Sequence, residues 1–169
     1  MTAHTSRARS ALAMVVSPHK AGTPVDLALV VVRVALGWIF VVYGAQKLFG
    51  WFGGPGIDPT AGFMASLGLK PGTFMAYLSG IIEFGGGIAM LLGFVTRLAG
   101  LALIGDMLVA IIKVTAEQGL HPYTNAPGYG LNVALIGLAL VMFLLGAGRY
   151  SLDALAERRL VGAGDGSAS

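Results

Sequence analysis

The sequence predicts an all-α membrane protein: a four-helix transmembrane bundle with a short interfacial helix between helices 1 and 2. Two observations carry this. First, the 169 residues are 56% hydrophobic and only 11% charged, with a mean hydropathy of +0.79. A soluble domain carries about 25% charged residues. Second, the apolar residues gather into four runs, each close to the roughly 20 residues that cross a hydrocarbon core. The same composition excludes intrinsic disorder, which needs low hydrophobicity and high charge. The net charge is +3. Because the basic residues flank apolar runs, this charge fits an anionic membrane surface and not a nucleic acid.

Residues 1–25 read as a basic, mobile tail. Arg7 and Arg9 precede the short apolar stretch Ala11 to Val16, which Pro18 ends, so the pattern is too short for a signal peptide. A membrane domain is expected over residues 26–155. Its first span is Leu27–Phe49, introduced by Thr23-Pro24-Val25-Asp26, which resembles a capping box with proline in the first turn. Trp51 and Phe52 follow Phe49 as an aromatic interface anchor. Asp58-Pro59 reads as an N-cap, and a short interfacial helix through Phe63, Met64 and Leu67 should end at Gly68.

The second span, Thr73–Phe94, starts after Pro71-Gly72. Val95-Thr96-Arg97 then makes a tight antiparallel turn into the third span, Leu98–Thr115. Pro127-Gly128 introduces the fourth, Tyr129–Ala147. Residues 156–169, rich in Gly, Ser and Ala towards the end, are expected to be disordered. Arg7, Arg9, Lys20, Arg97, Arg149, Arg158 and Arg159 fall on one side of this arrangement, and only Lys47, Lys70 and Lys113 on the other. The positive-inside rule therefore puts both termini in the cytoplasm.

Ionisable groups inside a span cost about 2.5–3.5 kcal/mol apiece, so each calls for a partner. Arg33 lies in the first span, on a stripe with Gly37, Phe40, Gly44 and Lys47. Glu83 lies near the middle of the second, in line with Ser79, Gly80, Gly86 and Gly87, and Asp106 lies in the third. At 1.5 Å per residue, Arg33, Asp106 and Glu83 sit ~9, ~12 and ~16 Å from the cytoplasmic ends. Similar depths predict one network, in which Arg33 forks onto Glu83 and the second acid is protonated or finds another donor. The glycines at 37, 44, 86 and 87 should let helices 1 and 2 approach closely. A narrow polar cleft would remain beside Arg33 and Glu83, capped by Trp51-Phe52.

Plainer readings stand beside these. An Arg–Glu pair can serve only to fix helix register. Lys47, next to Gln46 at the outer end, reads as a snorkelling interface lysine, with both near an outer mouth. Asn132 reads either as a group at that mouth or as a helix–helix hydrogen bond. Cysteine is absent, and the three histidines (His4, His19, His121) lie outside every span. No haem, iron–sulfur cluster or other covalently held cofactor is expected, and no metal site.

The residues also resemble a known family. Arg33-x3-Gly37-x2-Phe40-x3-Gly44-Ala45-Gln46-Lys47-Leu48-Phe49-Gly50-Trp51-Phe52-Gly53-Gly54-Pro55-Gly56 is similar to the first block of the DoxX family. Glu83-Phe84-Gly85-Gly86-Gly87 with Leu91 to Arg97, Asp106 to Ala110, and Gly146 to Asp153 resemble its later blocks, in order. The resemblance implies a four-helix inner-membrane protein. Relatives include DoxD-type subunits of thiosulfate:quinone oxidoreductases, and proteins tied to membrane oxidoreductase complexes and thiol-oxidant defence. The chain departs from many relatives in having Tyr43 where they have His, and Asn132 near a position where they carry an acid.

The functional expectation is a membrane subunit of an oxidoreductase complex, not catalytic alone, that contacts quinone or lipid and docks a catalytic partner. Two alternatives belong to other classes. One is a small-solute transporter or channel, which with four short helices would need homo-oligomers. The other is a structural or assembly protein.

Overall fold

The computed structural model describes residues 22–120 and 128–165. Among these residues the chain is all-helical. Helix α1 is Thr23–Phe49, α2 Ile57–Ser66, α3 Gly72–Leu92, α4 Thr96–Ala110, α5 Gly130–Leu145 and α6 Leu152–Asp165. Helix α4 continues through a π turn, Ile111–Thr115, and a 3₁₀ turn, Ala116–Gln118.

Among the described residues, three stretches are long and apolar enough to cross a membrane: Thr23–Phe49, Gly72–Leu92 and Thr96–Gln118. Helix α5 is as apolar but only 16 residues long. The outward faces need an apolar solvent. Leu27, Val31, Val34 and Trp38, one turn apart along α1, are 60, 62, 50 and 57% exposed. No aqueous surface tolerates such a stripe for long, whereas lipid does.

The interior is small. Leu36, Phe40, Met90, Leu103, Leu135 and Met142 are fully buried and join α1, α3, α4 and α5 into one core. The helices alternate in direction. A Cβ on Gly37 would meet Gly87 and Leu91, one on Gly44 would meet Phe84, and one on Gly80 would meet Leu48. Rising numbers on α1 thus face falling numbers on α3. Between α4 and α5, Gly100 faces Ala139 and Phe143 in the same sense. At Gly44 the approach is so close that a Cβ would lie 2.3 Å from the Phe84 backbone nitrogen. Only glycine allows it.

Several expectations are corrected at the helix ends. The Thr23–Asp26 capping box does not form. Gly22 is the N-cap, without a side-chain cap, and Pro24 occupies the first turn. Asp26 turns instead to the Arg149 backbone N–H, 3.0 Å away. Asp58 is not an N-cap either; it lies in the first turn of α2, after Gly56. The disordered tail expected over 156–169 is helical as far as Asp165. The basic tail expected over 1–25 lies outside the described residues up to position 21, and residues 23–25 open α1.

Candidate functional site

The polar interior divides into two centres, and the division corrects the expected Arg33–Glu83 pair. Arg33 points to the side of the bundle where α6 begins. Its Nη1 donates to the Ala147 carbonyl at 2.8 Å and the Tyr150 carbonyl at 2.9 Å, and its Nη2 to the Leu91 carbonyl at 3.4 Å. These oxygens belong to the end of α3 and the α5–α6 connection, where carbonyls lack helical partners. Gly93 lets the guanidinium in, because a Cβ there would lie 2.6 Å from Arg33 Nη1. Asp153 sits close by and receives the backbone N–H groups of Val95 and Thr96 at 2.7 and 3.0 Å, capping α4. Arg33 is thus a staple between chain segments, some 12 Å or more along α3 from Glu83 by helix rise.

Glu83 pairs with Lys47 instead. Lys47 Nζ lies 2.6 Å from Glu83 Oε1 and donates to Ser79 Oγ at 3.1 Å. Asp106 completes the cluster from α4, close to Lys47, Ser79 and Glu83. Three helices therefore converge on one charged centre. Glu83 is 11 residues from the start of α3 and 9 from its end, ~16 and ~14 Å of helix, so the centre lies near mid-depth. The residue is 1% exposed, and its Oε2 receives no hydrogen bond. The centre therefore combines an acceptor without a partner, Glu83 Oε2, with a Lys47 N–H that neither Glu83 nor Ser79 takes.

Lys47 is not the snorkelling lysine that its place near the end of α1 suggests. Every Cα–Cβ bond in a helix tilts towards the N-terminus. On α1 that direction runs back into the bundle. Small residues at Ser79 and Gly80 on the facing helix leave room for the stem. Both signals are in the sequence: the direction of α1, and a serine one turn before the buried acid.

The other expected site residues separate from this centre. Gln46 Nε2 donates to the Phe52 carbonyl at 3.3 Å, and the Gln46 carbonyl accepts from Gly56 N–H at 3.0 Å. Gln46 therefore holds the loop that folds back over the end of α1. Asn132 donates to Met107 Sδ at 3.4 Å and ties α5 to α4. Gly37, Gly44 and Gly87 form the α1–α3 seam, whereas Gly86 faces Leu103 of α4. The seam closes the space where a polar cleft beside Arg33 was expected. An apolar groove of about 210 Å³ opens between α3 and α4 instead, lined by Ile82, Gly85, Gly86, Ala89, Val95, Leu98, Ala99 and Ala102. It begins one turn from both acids, since Gly86 follows Glu83 by three residues and Ala102 precedes Asp106 by four.

The DoxX family model matches residues 28–116, which hold the whole charged centre. "Inner membrane protein YqjF" of Escherichia coli (strain K12) is 30% identical over 134 residues, 79% of this chain and 95% of its own. "Uncharacterized membrane protein Rv3486" of Mycobacterium tuberculosis (strain ATCC 25618 / H37Rv) is 31% identical over 157 residues, 86% of this chain and 90% of its own. A Bacillus subtilis (strain 168) protein named "Putative oxidoreductase CatD" is 34% identical over 89 residues, 53% of this chain and 60% of its own. No solved structure matches the chain.

Proposed function

The chain belongs to the DoxX family and is an integral membrane protein, and from that premise we propose that it is a membrane subunit of an oxidoreductase complex whose Lys47–Glu83–Asp106 centre receives a quinone head group. The observation that carries the reading is Glu83 Oε2, a deeply buried acceptor without a donor. Such an atom costs about 1–3 kcal/mol or more, and a quinol hydroxyl supplies the missing hydrogen bond. Lys47 uses one N–H on Ser79 and one on Glu83. Its third is the donor for a quinone carbonyl, and its 26% exposed side chain leaves that N–H an approach. The α3–α4 groove suits the apolar tail, because it starts beside the acids and is lined by apolar side chains and glycine. A bound quinone would supply the electron-carrying chemistry. The residues here bind it, orient it and hold a proton between carboxyls. The printed name of CatD agrees with this class.

The reading includes a topology. α1, α3, α4 and α5 make four crossings, α2 lies in the outer interface, and both termini are cytoplasmic with Arg97, Arg149, Arg158 and Arg159. A catalytic partner docks on the cytoplasmic side.

The test is binding of a short-chain quinol to protein in nanodiscs. Wild type should bind. Lys47→Met and Glu83→Gln should each weaken binding at least tenfold, and Gln46→Ala should leave it within twofold. If wild type binds no quinol, or the two variants bind as wild type does, the reading fails. The pair then serves only to fix the register of α1 on α3.

A further inference from the structure

We infer that α6 and the residues leading into it form a bilayer-surface anchor that selects anionic phospholipid head groups. The inference does not depend on the quinone reading.

The start of α6 is tied to the bundle by hydrogen bonds on several sides. Arg33 holds the Ala147 and Tyr150 carbonyls, Asp26 holds the Arg149 N–H, and Asp153 caps α4 while donating its own N–H to the Gly93 carbonyl at 2.9 Å. These contacts fix the helix start level with the α3–α4 turn, at the end of the apolar spans. The surface of the bilayer lies at that level.

The sequence of α6 then sorts its residues by side. At about 100° per residue, Leu152, Leu155, Arg158, Arg159 and Leu160 fall on one face about 200° wide. All five are exposed, the leucines by 43, 45 and 53%. Asp153 and Ala154 fall on the other face and are buried, and Glu157 falls with them, half-buried. Among residues 152–160 the open face therefore carries leucine, arginine and Ala156, and no acid. Arg149 and Tyr150, both exposed, extend it, with the guanidinium 5.9 Å from the ring centre. Apolar side chains flanked by arginines, with a tyrosine at one end, suit a boundary between acyl chains and phosphate. Anionic head groups complement three arginines on a face without a carboxylate.

The chain has no cysteine, so Leu160→Cys gives one site for a spin label in the full-length protein. In bilayers containing phosphatidylglycerol, the label should be open to oxygen and shielded from a water-soluble nickel chelate. In pure phosphatidylcholine it should be more open to the chelate. Replacing Arg149, Arg158 and Arg159 together by Gln leaves the Arg33 contacts intact. It should remove the lipid preference, by about fivefold in the docked-to-free ratio for each arginine. A label that is water-exposed in both lipids would overturn the inference and leave the face open to a protein partner. A label equally shielded in both, and unmoved by the triple replacement, would overturn it as well.

Discussion

Helix α1 turns two cations inward on one stripe, and they are answered in opposite ways. Arg33, 5% exposed, is met chiefly by three backbone carbonyls from two chain segments. Lys47 is met by side chains: Glu83, Ser79 and, through them, Asp106. A backbone carbonyl neither takes up a proton nor leaves, so the arginine centre is fixed scaffold. Side chains exchange partners and protons, so the lysine centre can do chemistry. What separates a structural charge from a functional one here is the kind of partner, since both cations turn towards the bundle interior.

The largest effect should come from breaking the scaffold. Arg33→Ala leaves the Ala147, Tyr150 and Leu91 carbonyls without their donor and should cost ~3–5 kcal/mol, read as thermal melting in detergent. Arg33→Lys should recover only part of this, because one ammonium cannot span three carbonyls in the geometry of the fork. If Arg33→Ala melts within a degree or two of wild type, the two centres are not different in the way described.

The glycine seam gives the next effects. Gly44→Ala drives a Cβ into the Phe84 backbone and should cost ~1–3 kcal/mol or more. Gly86→Ala meets only the Leu103 side chain at 3.1 Å and should cost less than ~1 kcal/mol. Gly105, where a Cβ would meet nothing within 4 Å, should tolerate alanine and gain ~0.5–1 kcal/mol from helix propensity. Equal effects at 44 and 105 would mean that α1 and α3 do not approach as described.

The sequence made the helical architecture legible because lipid leaves little choice: every backbone group must be paired within its own helix. The apolar runs therefore gave three of the long helices to within four residues at each end, and marked Arg33 and Glu83 as buried charges but not Asp26 or Asp153. Their pairing was harder to read. Depth counted from helix ends put Arg33 near Glu83, but depth says nothing of which carbonyls a long side chain will reach. The cage around Arg33 depends on Ala147 and Tyr150, more than 110 residues away, and on Gly93 making room. Asp153, the cap of α4, comes from another helix, so no local capping pattern announces it. The helical run to Asp165 was hidden by the Gly162 and Gly164 composition. The Lys47–Glu83 contact, by contrast, could have been read from the tilt of Cα–Cβ bonds on α1 and from Ser79.

The most direct measurement is a pair of double-mutant cycles in detergent melting, one on Lys47 and Glu83 and one on Arg33 and Glu83. Lys47→Met alone strands Glu83 in the interior, and Glu83→Gln should recover much of that loss. The first cycle should give a coupling of ~0.5–3 kcal/mol, and the second should be additive within ~0.5 kcal/mol. Coupling between Arg33 and Glu83, with Lys47 and Glu83 additive, would contradict the division of the polar interior into these two centres.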